Sequence, residues 1–361
     1  MTKTYVLMKN PAHTRVSFQD SDTLAIKELT VLVKSMEAEI SNTRIGQIGG
    51  VPYVLFDSNG SIKESDISKL SRMSFVYGVF ELYSPKDEER QVYLKPITLT
   101  PNYFIDQEVS GILKYTGKTN ELFTRLMLNM AQLHIKNTDT NGMGMLNILD
   151  PLAGKGTTLY EALMQGYNAY GVEVDPKPVH ESVVYLKKYL ETAKYKHTTH
   201  TEKVSGQSPV GKFTSTRNQI TISRSKEEQG QGIARHFEIL DGDTRNTSAF
   251  FKKNYFHAII ADLPYGVQHG SKTEKGGKKP QKGGTITRNA LGLISEAMPG
   301  WVRVLKPGGV IVLAWNLFLI SRDEMAGLLE QHGFMLPELG VDFSHRVDQA
   351  IDRDLIVGVM K

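Results

Sequence analysis

The chain has no cysteine in its 361 residues. Disulfides, thiolate zinc sites, thiolate-bound iron–sulfur clusters and cysteine nucleophiles are all excluded by that absence. No apolar run approaches the roughly 20 residues that cross a bilayer. The N-terminal MTKTYVLMKNPAHTR has no signal-peptide core, so a cytoplasmic protein is expected. No cluster of His, Asp and Glu has ligand spacing, and no metal site is assigned. What is present is a mixed composition, 40% hydrophobic and 23% charged, with enough length for two buried cores.

The surplus positive charge is local. Residues 1–95 hold 12 Lys/Arg and 12 Asp/Glu. Residues 187–235 hold 10 against 4, and residues 272–288 hold 6 against 1. Both basic stretches are rich in Gly, Ser, Thr, Gln and Lys. They read either as solvated loops or as a surface for a polyanion, because Lys and Arg contacts to phosphate supply most non-specific nucleic-acid affinity.

Periodicity divides the chain. Residues 1–95 form a small α+β unit: strands at Thr4–Met8, Val51–Phe56 and Ser74–Leu82, with helices at Thr23–Ile40 and Glu64–Met73. Ser84–Gln91 reads as a linker. From about residue 101 to 361, short apolar runs (Leu146–Leu149, Ala169–Val174, His236–Leu240, His257–Ala261, Val310–Trp315, Leu355–Met360) alternate with helical patterns (Asn120–Ile135, Thr158–Gln165, His180–Ala193, Ala290–Val304, Asp323–Gln331). That alternation predicts an α/β domain with a Rossmann-like parallel sheet and helices on both faces. Lys194–Arg235 is a polar insertion too long for an ordinary loop; inside it only Gln219–Ser223 alternates like a strand.

The first apolar run of this second domain leads into DPLAGKGTTLYEAL, Asp150–Leu163. A strand ends in Asp150, the backbone turns through Gly154 and Gly156, and a helix starts near Thr157. A dinucleotide fingerprint would need glycine at Leu159. A P-loop would need glycine at Leu149 and Ser or Thr at Gly156. Neither phosphate-binding pattern is met. One strand later YGVEVD places Glu173 about 20 residues past the loop, where an acid can take both hydroxyls of a ribose. A third strand ends ILDGD and offers Asp243 to an adenine amine. A nucleoside without phosphates is implied, and S-adenosylmethionine fits.

These segments, with Asp262–Gly266 (DLPYG) after the next strand and Leu305–Gly309 (LKPGG) further on, resemble the class I S-adenosylmethionine-dependent methyltransferases that act on amino nitrogens of nucleic-acid bases. The form DLPYGVQHG is most similar to the tRNA guanine-N2 methyltransferases, a THUMP-associated family. The resemblance covers about 101–361, and residues 1–95 are too short for that family's small N-terminal unit plus a full THUMP domain. It implies cofactor contacts at Asp150, Pro151, Gly154, Gly156, Thr157, Glu173, Val174 and Asp243, with Asn120 at the cofactor's methionine end. Base contacts fall on Asp262, Leu263, Pro264 and Tyr265. In the family pattern proline most often follows the Asp; here it is Leu263.

An exocyclic amine is a poor nucleophile because its lone pair is delocalised into the ring. Asp262 can accept a hydrogen bond from it, the carbonyl of Leu263 or Pro264 can accept the second hydrogen, and Tyr265 can stack on a flipped base. Guanine presents two adjacent donors, N1–H and N2–H, to an acceptor-only carboxylate, which favours guanine over adenine. Structured RNA, tRNA above all, is the expected partner. Lys272, Lys275, Lys278, Lys279, Lys282 and Arg288 would hold phosphates and the N-terminal domain would orient the RNA. A DNA adenine-N6 or cytosine-N4 methyltransferase, or a non-catalytic RNA-binding protein on the same fold, stays open at this point, as does a small activating subunit.

Overall fold

A Gly49–Gly50 pair, with φ of 58° and 79°, makes the tight turn that only residues tolerant of positive φ close readily. It joins strands Ile40–Ile48 and Val51–Asn59. The computed structural model describes residues 2–10, 15–84, 91–101, 103–111, 120–136, 145–208, 210–264 and 287–361. They divide into two compact units: 1–102 with 338–349, and 103–337 with 350–361. The segment 338–349, which the sequence reading left with the second domain, groups with the first, where Lys34 donates to the carbonyls of Glu338 and Leu339 at 3.0 and 2.9 Å.

The first unit is an antiparallel sheet in the order Ile40–Ile48, Val51–Asn59, Thr2–Lys9, Val76–Tyr83, Tyr93–Ile97. Tyr5, Val6, Leu7, Val54 and Phe56 build its core with Leu29 of the helix Arg15–Leu32. The helix stops at Leu32, eight residues before the expected Ile40, and a short 3-10 turn at Val33–Ser35 follows it. Asp66 explains the stop: its carboxylate accepts from the backbone of Glu37 and Ala38, both at 3.0 Å, and turns the chain away. The strands at 40–48 and 93–97 were not expected from sequence.

In the second unit the strands are β1 (Asn147–Asp150), β2 (Asn168–Glu173), β3 (Lys196–Ser208), β4 (Gly211–Ser223), β5 (Arg235–Asp241), β6 (Phe256–Asp262), β7 (Leu305–Asn316), β8 (Phe334–Met335) and β9 (Asp352–Met360). They lie side by side as β8-β9-β7-β6-β1-β2-β5-β4-β3. β7, β6, β1, β2 and β5 are mutually parallel; the outer strands are antiparallel. Their near-continuous apolar runs follow from burial on both faces. Helix Thr287–Val304 packs Met298 and Trp301 on one face, against Leu149, Val172, Ile259 and Ile311. Helix Thr157–Met164 packs on the other, with Leu159 so close to Gly171 that a Cβ there would meet it at 2.8 Å. The chain leaves β1 toward β2 and later returns to β1's other side as β6, so the topological switch lies between β1 and β6.

The basic insertion is not a loop. Residues 196–223 form a two-stranded hairpin that extends the sheet beyond β5. Among the described residues no helix is long and apolar enough to cross a membrane.

A buried ion pair fixes the helix that follows β1. Arg125, on helix Glu121–His134, meets Glu161 at 3.0 Å, and Ser110 donates to the other Glu161 oxygen at 2.5 Å. Breaking such a pair leaves an uncompensated buried charge. Glu161→Ala should therefore cost about 3–5 kcal/mol in urea unfolding; a loss below about 1 kcal/mol would show that the pair does not hold this helix.

Candidate active site

Three carboxylates stand at the strand ends beside the switch point. Asp150 pairs in register with Gly171 on β2, and Leu149 pairs with Ile259 on β6, which sets Ile260 level with Asp150. Glu173 and Asp262 therefore each lie two residues further along the neighbouring strands, about 7 Å beyond Asp150 and on its face of the sheet. They flank a space about 10 Å wide with Asp150 at its floor.

Asp150 is only 4% exposed. Burial raises its carboxyl to about 7; the negative charges of Asp262 and Glu173 add to the rise, and hydrogen bonds from Thr158 and the Leu152 backbone oppose it. The Leu152 bond measures 2.9 Å. Asp150 is thus an acid poised near neutrality, with two further carboxylates acting on it.

The loop after β1 folds back onto β2, where Ala153 N–H donates to Val172 at 2.9 Å. Gly156, with φ of 89°, needs glycine twice over: a Cβ would also sit 2.8 Å from Ser182 Oγ. Gly154 has φ of 52° and nothing within 4 Å of its Cβ position, so its backbone borders open space. Pro151 and Thr157 are buried, Thr157 opening the helix. Glu173 holds the loop by accepting from Gly154 N–H and Asp175 N–H, both at 2.9 Å. Each carboxylate oxygen keeps a further lone pair, enough for a diol. Next to it Val174 is 71% exposed, a bare apolar surface at a polar edge. Asp175 then caps helix Pro176–Thr192 through Lys177 N–H.

Gly242 N–H bonds the Glu173 carbonyl at 2.8 Å and brings the end of β5 alongside. Asp243 is already engaged there. Arg245 grips its carboxylate, with Nη2 at 2.6 Å, and holds its carboxyl below the ordinary range. Arg245 also reaches Glu296 at 2.8 Å. An adenine amine at Asp243 must share the carboxylate with this guanidinium. Asn120 acts as a helix cap, accepting from Leu122 N–H at 2.8 Å.

Leu263 and Pro264 diverge. Leu263 N–H donates to Ala314 at 2.8 Å, one step past the end of β6, and its side chain is 2% exposed. Only its backbone can serve a substrate. Pro264 is exposed. Tyr265, Lys272, Lys275, Lys278, Lys279 and Lys282 lie outside the described residues, as does the side chain of Arg288. Three neighbours had not been singled out from sequence. Thr158 and Arg245 lie within reach of motif residues. Phe318, 57% exposed, sits on a turn after β7 organised by Asn316, whose Oδ1 accepts from Phe318 N–H and Asp352 N–H at 3.2 and 3.1 Å. No local pattern marks it. A separate polar groove of about 340 Å³, lined by Tyr170, His200, Gln219, His236, Glu238 and Tyr255, lies on the opposite face.

This donor set suits one ligand class. Three carboxylates favour a cation, the spare lone pairs of Glu173 a ribose diol, and Val174 a flat heterocycle. S-adenosylmethionine combines the three and, when bound, supplies a methyl group activated on a sulfonium.

The raised Asp150 carboxyl has a stability consequence. A group whose folded pKa lies above its unfolded value stabilises the fold at low pH and loses that contribution as pH rises. Here the window runs from the unperturbed 3.8 to about 7. Asp150→Asn should therefore raise Tm relative to the parent by an increment that grows between pH 5 and pH 7 and then levels off. A pH-independent increment in parallel thermal melts would contradict this.

Residues 123–282 match the family described as RMKL-like, methyltransferase domain. No curated protein matches the sequence. Among solved structures the chain is similar to TrmN from Thermus thermophilus, with 12% identity, all of both chains covered and a TM-score of 0.44. It is also similar to precorrin-6y C5,15-methyltransferase from Geobacter metallireducens, with 14% identity over 69% of this chain and 92% of that one and a TM-score of 0.36. A TehB-like SAM-dependent methyltransferase from Corynebacterium glutamicum shares 14% identity over 60% and 80%, with a TM-score of 0.30. The family match spans the glycine loop, Glu173, Asp243 and Asp262, and marks residues 123–282 as similar to a methyltransferase domain.

Proposed function

We propose that this protein methylates an exocyclic amino nitrogen of a nucleic-acid base, and that the base is guanine, modified at N2 in tRNA. The observation that carries the reading is the position of Asp262 across the switch point from Asp150 and Glu173. A nitrogen held at Asp262 faces the space in which Glu173 and the Gly154 loop would seat the methyl donor.

In this reading Asp262 accepts a hydrogen bond from the amine and localises its lone pair toward the methyl group. Leu263 anchors the turn: its side chain is buried and its N–H is tied to Ala314, which fixes where the carbonyls of Leu263 and Pro264 point. One of them accepts the amine's second hydrogen. Tyr265 stacks on the base once it has left its helix. As the new N–C bond forms and the S–C bond breaks, the nitrogen becomes cationic and sheds a proton, which Asp262 can hold. The gain comes from alignment and fixed charge, with no covalent intermediate. The guanine preference rests on the match between a carboxylate and the adjacent N1–H and N2–H donors. The lysines of 272–288 would contact phosphate, and the unit 1–102 would help orient the RNA.

Tritiated S-adenosylmethionine with total tRNA, ribosomal RNA and DNA, followed by nucleoside analysis, tests the substrate. The expected product is N2-methylguanosine in tRNA; methyladenine or methylcytosine in DNA, or no transfer to any nucleic acid, would reject it. For the mechanism, Asp262→Ala should lower kcat by at least about 100-fold while cofactor affinity stays within a few-fold. Parallel loss of both would show that Asp262 acts through the fold or the cofactor.

A further inference from the structure

β3 and β4 pair along their whole length, from Lys196 with Ser223 to Ser208 with Gly211. β5 pairs with only part of β4, and Leu240 near its carboxyl end stands opposite Arg217. Thr216 and Lys203 are therefore level with Glu173, and residues 211–215 with their partners 204–208 run on past the strand ends that carry Asp150, Glu173 and Asp262, by about 17 Å.

The projection is braced. The Phe213 ring stands edge-on to Phe250 at 5.1 Å and covers Gly206, where a Cβ would approach it to 2.9 Å. Thr216 N–H donates to the Asp241 carboxylate. Arg217 donates to the Phe250 carbonyl at 2.7 Å and to Glu202 at 3.0 Å. Val204, Phe213 and Ser215 occupy this packed side and are buried or half-buried.

The opposite side carries Lys203, Ser205, Gln207, Lys212, Thr214 and Thr216. All but Thr216 are exposed. Lys203 donates to Thr216 at 2.7 Å, and Ser205 and Thr214 share a bond of 3.0 Å. Which face this is can be read across the sheet. Ile148, Ala169, Phe237 and Ile220 are successive register partners, and Ile220 points the same way as Thr216, Thr214 and Lys212. The lysine face of the hairpin is thus the face from which Asp150, Glu173 and Asp262 project.

Building on the nucleic-acid reading above, we infer that this overhanging hairpin face holds the sugar–phosphate backbone of the RNA substrate beside the nucleotide being modified. Two lysines, three hydroxyls and an amide with no acid among them suit phosphate and sugar oxygens. They carry no base-edge code, and the face has no aromatic ring on which a base could stack. The contact is positioning rather than catalytic.

The test uses the full-length protein with total tRNA, binding measured from about 50 to about 200 mM salt. Lys203→Glu/Lys212→Glu should weaken tRNA binding by at least about tenfold and flatten the log–log salt slope by about 2. KM for tRNA should rise with kcat within about twofold, and cofactor affinity should not change. Lys203→Gln/Lys212→Gln should move the same quantities the same way by less, which separates lost charge from misfolding. Lys252→Glu/Lys253→Glu makes an equal charge change at two exposed residues ahead of the amino end of β6, away from the strand ends that carry the carboxylates, and should leave the slope alone. Normal tRNA binding by the hairpin variants, or an equal loss in the far pair, overturns the inference. If the parent protein transfers methyl groups only to DNA, the substrate reading fails, and an RNA-holding role fails with it.

Discussion

The burial of the Asp150 carboxyl beneath two further carboxylates is the constraint around which the site of the second unit is arranged. Asp150 sits at the floor of a space flanked by Glu173 and Asp262, and burial plus their charges push its carboxyl to about 7. A fold seeking only stability would place an apolar or amide side chain there. Strained titrations of this kind concentrate at functional sites because a ligand, not the protein, completes the electrostatics. A cationic cofactor would do so here. Glu173 is braced by two backbone N–H groups, which fix where its remaining lone pairs point.

Parallel strand order makes the arrangement possible. β1 lies between β2 and β6, so residues far apart in sequence (150, 173 and 262) reach one edge of the sheet and one face of it. Gly156 lets the loop pass against Ser182, and Gly154 leaves the edge open. Beyond β5 the hairpin continues the sheet past that edge. A small ligand and a large one can therefore approach from the same side.

The parallel core was legible from sequence because buried strands advertise themselves as apolar runs: β6 reads FHAIIAD and β7 ends VIVLAWN. The motif residues followed, since each sits at the end of such a run. Of the hairpin only Gln219–Ser223, the end of β4, was legible. KHTTHTEKVSGQS has no apolar face, because both sides of an edge strand can face water, and period-2 patterning needs one buried side to show. The strand Ile40–Ile48 was hidden for a different reason. Leu24, Leu29, Leu32 and Met36 carry a helical period almost to its start, and the stop depends on Asp66, remote in sequence. Asp243 shows the limit of motif reading: its position at a strand end was evident, but its partner Arg245, two residues on, was not.

The most direct measurement is a crystal structure of this chain with S-adenosylhomocysteine. The ribose should lie on Glu173, the heterocycle over Val174, and the sulfur between the Gly154 loop and Asp262. A ligand seated in the polar groove of Tyr170, His200 and His236, or one that leaves Asp262 facing away from the sulfur, would contradict the account.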